Sequence, residues 1–158
     1  MNHEYRATVR WECGGAAFAG GRYSRAHTWI FDSGLEVPAS ASPLNVRLPW
    51  SREDAVDPEE ALVAAVSSCH MLFFLDFASR AGFTVNAYED RPVGIMEKNQ
   101  KGKLFVSKIT LDPRIAFSGD RRPSPQEIAE LHHRSHEECF IANSVLAEVV
   151  VADEPAHA

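Results

Sequence analysis

From Glu4 to Cys13 the chain alternates apolar and polar positions, "EYRATVRWEC", the period of a half-covered strand. The glycine-rich "GGAAFAGG" that follows predicts a turn, so the two pieces suggest a hairpin. "AHTWIFDSGLEVPAS" predicts a second strand, a turn at Asp32-Ser33-Gly34 and a short third strand. Residues 40–56, with Pro43, Pro49 and mixed charges, read as a loop. The pattern then changes. Val63 to Phe83 is apolar almost all round, the mark of a central helix rather than a surface one. Its start is written at Asp57-Pro58-Glu59-Glu60: an N-cap, a first-turn proline and two acids that suit the helix dipole. It runs to about Arg80 and stops at Gly82.

"TVNAYEDRPVGIMEK" and "LFVSKITLDPRIAF", joined through a Lys101-Gly102 turn, predict strands paired as a meander. Ser124, Pro125 and Glu127 open a second helix with a cap, a proline and an acidic first turn. That helix carries Ile128 and Leu131 and ends at Cys139. "LAEVVVADEP" is a last strand fading into a polar tail. The order of elements is an α+β pattern in one domain over 1–158, with 152–158 as a flexible tail. There is no internal repeat and no phosphate-binding glycine loop.

Composition changes this picture little. A chain of 158 residues can bury a sizeable core, and a net charge of -6 gives no footprint for nucleic acid or an anionic membrane. The first residues lack a signal-peptide apolar region, and no uninterrupted apolar run reaches the roughly 18 residues of a membrane span. The expectation is a cytoplasmic protein without membrane or nucleic-acid partners.

Three cysteines, Cys13, Cys69 and Cys139, are too few and too widely spaced for a disulfide framework. No CxxC pair suggests structural zinc. A reactive cysteine needs its thiolate, and Cys69, twelve residues beyond the cap, is out of reach of the helix dipole. A cation must come from elsewhere: Arg22 and Arg25 of "GGRYSRAH" are the candidates before the helix, although by spacing alone solvated turn charges are the plainer reading of them. Glu59 stands ten positions before Cys69, roughly 15 Å along a continuous helix. For the two to share a site, either the helix breaks or a second copy supplies the glutamate. Cys139 can be an inert buried thiol. His132, His133, His136 and Cys139 invite a metal reading without a four-ligand pattern, and His70 points about 100° away from Cys69 on a helix. Cys13 reads as an ordinary thiol near a strand end.

The segment "DPEEALVAAVSSCH" resembles the Pro-Glu to Cys segment of the OsmC/Ohr family, the osmotically inducible and organic-hydroperoxide-resistance proteins. The ten-residue interval from Glu59 to Cys69 matches. So do a second cysteine at the end of a later helix, the strand "SVLAEVVV" after it, and the glycine- and arginine-containing hairpin in front. The resemblance runs from about Val9 to Val151. It implies an OsmC-like α+β fold, strands wrapped around long central helices in an intertwined homodimer. It implies a thiol-dependent peroxidase without metal or other cofactor, acting on organic hydroperoxides and reset by a small dithiol or thiol. By resemblance, Cys69 is the peroxidatic and Cys139 the resolving cysteine, with Glu59 as catalytic carboxylate and an arginine of the hairpin, Arg25 rather than Arg22, beside the thiolate. An apolar pocket near Met71, Phe73 and Phe74 would favour organic peroxides. The chain departs from the family pattern in reading Cys69-His70 where Cys-Phe is common, and "CFIANS" where Cys-Pro-x-Ser is common. The alternative is an OsmC-like protein that binds a small molecule or senses redox state without turnover.

Overall fold

The computed structural model describes residues 2–15 and 18–152. The tail expected at 152–158 lies, apart from Ala152, outside the described residues, as do Ala16 and Ala17 of the glycine-rich turn. Contacts divide the chain into two units, one up to Ala61 and one from Leu62 onward.

In the first unit β1 (Ala7–Arg10), β2 (His27–Phe31) and β3 (Glu36–Ala39) form an antiparallel sheet in chain order. Ala7 pairs with Phe31, and His27 with Ala39. β1 and β2 pair as the expected hairpin, joined by the long connection 11–26. Three aromatic rings cluster on its surface: Trp11, Phe18 and Tyr23 pack with centroids 4.6–5.7 Å apart. The indole of Trp11 donates to the Ser24 carbonyl at 2.8 Å. The loop 40–56 is pinned at both ends, since Ser40 N–H donates to Val56 O and Arg52 N–H to Ser40 Oγ.

Helix α1 (Pro58–Arg80) starts and stops where the sequence places it. Asp57 Oδ1 accepts from Glu60 N at 2.8 Å, satisfying one of the first-turn donors. At the other end Gly82 takes φ +79°, and Phe83 N–H reaches back to Ala78 O. By length and composition α1 is apolar enough to cross a membrane, with mean hydropathy 1.8, although polar residues interrupt its apolar run. Its buried side chains pack into the second unit. Val66 joins Ile109, Leu111 and Val149 in one cluster, while Phe74, Phe77 and Ala78 join Phe83 and Leu131 in another.

The strands after α1 are not a meander. Strand β4 (Thr84–Asp90) pairs with β7 (Pro113–Ser118), and β5 (Val93–Lys98) pairs with β6 (Leu104–Leu111). This is one long hairpin bent in the middle, because Asp90 stands opposite Pro113 and Val93 opposite Thr110. Asp90 fastens the bend: Oδ1 accepts from Asp112 N at 2.7 Å, and Oδ2 accepts from the Ser67 hydroxyl of α1. Helix α2 (Pro125–Glu138) begins with a full capping box of Ser124 and Glu127. Strand β8 (Glu148–Val151) then adds in parallel to β6.

Gly94 in β5 shows how closely α1 lies on this sheet, since a Cβ there would stand 2.6 Å from Val63 Cγ2. Gly94→Ala should therefore cost about 1–3 kcal/mol of unfolding free energy in urea titration. In a double-mutant cycle with Val63→Ala that loss should shrink below about 0.5 kcal/mol. An unchanged denaturation midpoint in Gly94→Ala would contradict this packing.

Candidate functional site

Two thiols meet where α1 passes the end of α2. Cys69 is half-buried on α1, and Cys139 is fully buried at the C-cap of α2. Cys69 lies near enough to raise the Cys139 pKa, and both thiols are reduced. Cys139 Sγ also accepts from Ala142 N at 3.3 Å and lies 4.0 Å from the Val66 carbonyl oxygen. Burial pushes the Cys139 thiol up to about 11, against the partial relief of the Ala142 N–H. At neutral pH it is a proton-bearing thiol, not a nucleophile.

The turn that presents Cys139 needs no proline. The amide of Asn143 donates to the carbonyls of Glu137 and Cys139, and the Ser144 hydroxyl donates to Phe140 O at 2.7 Å. These bonds satisfy carbonyls that the end of α2 leaves open. "CFIANS" thus secures its turn with side-chain amide and hydroxyl groups.

Glu59 sits in the first turn of α1, which is unbroken to Arg80, so a break in the helix does not bring Glu59 to Cys69. Its Oε1 accepts from Asn45 at 3.1 Å, a partner with no sequence signal across the loop 40–56. Its Oε2 is buried and has no partner among the described residues. A buried carboxylate oxygen without a donor is costly and stands ready for a cation. Arg25 is half-buried and Arg22 exposed. The Arg25 guanidinium lies 3.8 Å over the Tyr23 ring and donates to the Gly21 and Tyr23 carbonyls at 2.9 and 2.6 Å.

The histidines separate into different roles. His133 is exposed and faces Glu137 at 3.4 Å, and His136 is exposed. His132 is buried on the inner face of α2 and meets His70 of α1. The rings stack 15° from parallel with centroids 5.3 Å apart, and His70 Nε2 lies 3.0 Å from His132 Nδ1. The sequence offered no sign of this pair, because His132 looks like the rest of its polar row. Among the described residues no three metal-ligating side chains converge. Cys13 is half-buried in the connection after β1. Phe73 and Phe77 line a pocket of about 360 Å³ that also carries Asp76, Arg80, Arg134, Glu137 and Glu138. Phe74, expected beside such a pocket, is buried core instead.

The OsmC family model, OsmC-like protein, matches residues 51–153. The chain belongs to the OsmC family. This OsmC-family chain is similar along its length to an OsmC-like protein of unknown function from Vibrio cholerae. The two share 51% identity and a TM-score of 0.94 over 96% of this chain and 99% of that one. An organic hydroperoxide resistance protein from Elizabethkingia anophelis shares the fold at 16% identity and TM-score 0.69, over 98% of this chain and 99% of that one. So does the organic hydroperoxide resistance protein OhrB of Bacillus subtilis, at 16% identity and TM-score 0.62 over 94% and 95% of the two chains. No curated protein matches the chain.

Burial holds both His70 and His132 near pKa 4, below the ordinary 6.5, with His132 and then His136 adding charge repulsion at His70. Between pH 4 and 6.5 the unfolded chain therefore binds more protons than the folded one, and unfolding free energy rises with pH. The contribution is complete above about pH 6.5 and is lost as pH falls toward 4, on the order of 3 kcal/mol for each histidine. Urea titrations should show this slope in the wild type and a flatter one in His70→Leu/His132→Leu. Parallel curves for the two proteins across that window would contradict it.

Proposed function

We propose that this OsmC-family protein is a thiol-dependent peroxidase that reduces organic hydroperoxides to alcohols and works as a homodimer. The observation that carries the reading is the proximity of the Cys69 and Cys139 thiols, one half-buried and one fully buried, within an OsmC fold. The low-identity likeness to organic hydroperoxide resistance proteins agrees with it at the level of fold.

In this reading Cys69 reacts first, being the more accessible of the pair. Arg25 stabilises its thiolate, and Glu59 holds the guanidinium through its open Oε2. Because Glu59 and Cys69 lie ten residues apart on one straight helix, the glutamate and thiolate that cooperate come from two copies of the chain. The outer face of α1 leaves room for a partner helix: Leu72 is 60% exposed, in line with the small residues Ala64 and Ser68 at helical spacing.

The thiolate attacks the distal peroxide oxygen. The O–O bond breaks, Cys69 becomes a sulfenic acid, and the alkoxide leaves as an alcohol once it takes a proton. Cys139 then condenses with the sulfenic acid. Its proton leaves with the hydroxyl as water, and a Cys69–Cys139 disulfide forms. A small dithiol attacks that disulfide, becomes oxidised itself and returns both protein thiols.

Wild type should consume tert-butyl or cumene hydroperoxide over many turnovers with a dithiol, and Cys69→Ser should not. Glu59→Gln or Arg25→Met should lower kcat/KM by about 10²-fold, because each removes charge stabilisation at the reacting sulfur. Equal, slow consumption by wild type and Cys69→Ser would end the peroxidase reading. Disulfide formation without turnover would instead mark a redox sensor built on the same thiols.

A further inference from the structure

The seam between α1 and α2 is a short ladder of buried contacts. At one end Cys139 meets Cys69 and the Val66 carbonyl. At the next residue of α1, His70 meets His132, and beyond them Phe74, Phe77 and Ala78 close on Leu131. Both imidazoles are deeply buried, His70 at 1% exposure and His132 at 8%. Phe74 covers His132 with ring centroids 4.5 Å apart. His70 Nδ1 and His132 Nε2 have no partner among the described residues, so each ring is held by the other alone.

Apolar contacts tolerate sliding, whereas a hydrogen bond fixes distance and direction. Among the described residues the His70–His132 contact is the one side chain–side chain hydrogen bond joining the body of α1 to α2. Cys139 stands seven residues beyond His132, two turns along the same buried face, and His70 directly follows Cys69. Any slip at the imidazoles is therefore transmitted to the thiols.

We propose that His70 and His132 are positioning residues for the resolving step: their hydrogen bond sets the register of α2 on α1, and so holds the Cys139 sulfur opposite Cys69. The inference rests on the reading of Cys69 and Cys139 as a redox pair. It adds that the "CH" at Cys69-His70 and the buried member of the His132 row act as one device.

The register is measured by equilibrating the reduced protein with glutathione buffers. One oxidised glutathione takes the two hydrogens of Cys69 and Cys139 and leaves as two reduced glutathiones, with the protein disulfide formed. His70→Leu should lower this equilibrium constant by about tenfold or more at pH 7, because it removes the bond and orphans His132. His70→Gln/His132→Asn, which place amide atoms where the bonded ring nitrogens stood, should return it to within about threefold of wild type. Val149→Ala, a stability loss in the other cluster, should leave it unchanged, separating register from general loosening. Equal constants in wild type and folded His70→Leu, or no rescue by the amide pair, would overturn the inference while leaving the two-cysteine cycle standing. No Cys69–Cys139 disulfide in wild type would overturn both.

Discussion

A polar group between two packed helices is tolerated only when it finds a partner there, and the α1–α2 seam meets that condition twice. Thiol meets thiol at its end, and imidazole meets imidazole beside it, at the next residue of α1 and two turns back along α2. The apolar body of α1 makes the seam dry. Dryness raises the Cys139 pKa, keeps both imidazoles neutral at physiological pH, and makes every remaining contact directional. Two contacts of the second unit hold α1 in place: Gly94 lets the β5–β6–β8 sheet approach it closely, and Asp90 ties the bend of the long hairpin to Ser67.

In the proposed cycle, unequal burial divides the work between the two sulfurs. Cys139, with a pKa near 11, keeps its proton at neutral pH and is a poor first nucleophile. Cys69 is half open and sits on the helix whose Glu59 presents an unpartnered carboxylate oxygen. A cycle in which Cys69 meets the oxidant and Cys139 delivers a proton with its sulfur uses both properties. Arg25 lies over Tyr23 with its donors turned to local carbonyls, so serving that cycle requires it to exchange those bonds for a carboxylate and a thiolate.

Local chemistry was legible in the sequence, and long-range pairing was not. Asp57, Pro58 and Gly82 bound α1, and Ser124 with Glu127 opens α2, because caps act over one turn of chain. The meander reading failed at Asp90 and Asp112, where a side chain–backbone bond bends the hairpin and sends β4 to β7. The hairpin of β1 and β2 was legible, but the cluster of Trp11, Phe18 and Tyr23 in its connection is one that a glycine count does not reveal. At the site, cysteine spacing left the meeting of Cys69 and Cys139 open, and only the family resemblance linked them. Asn45 beneath Glu59 and the burial of His132 had no pattern to announce them, since each depends on what packs opposite.

The central claim is that the two thiols of the seam form one redox unit. Mass spectrometry of the proteolysed protein after one equivalent of cumene hydroperoxide tests it most directly. The account predicts a peptide pair linked through Cys69 and Cys139, lost when Cys139 is serine and replaced there by a trappable Cys69 sulfenic acid. Unmodified, alkylatable Cys69 and Cys139 after the same treatment would contradict it.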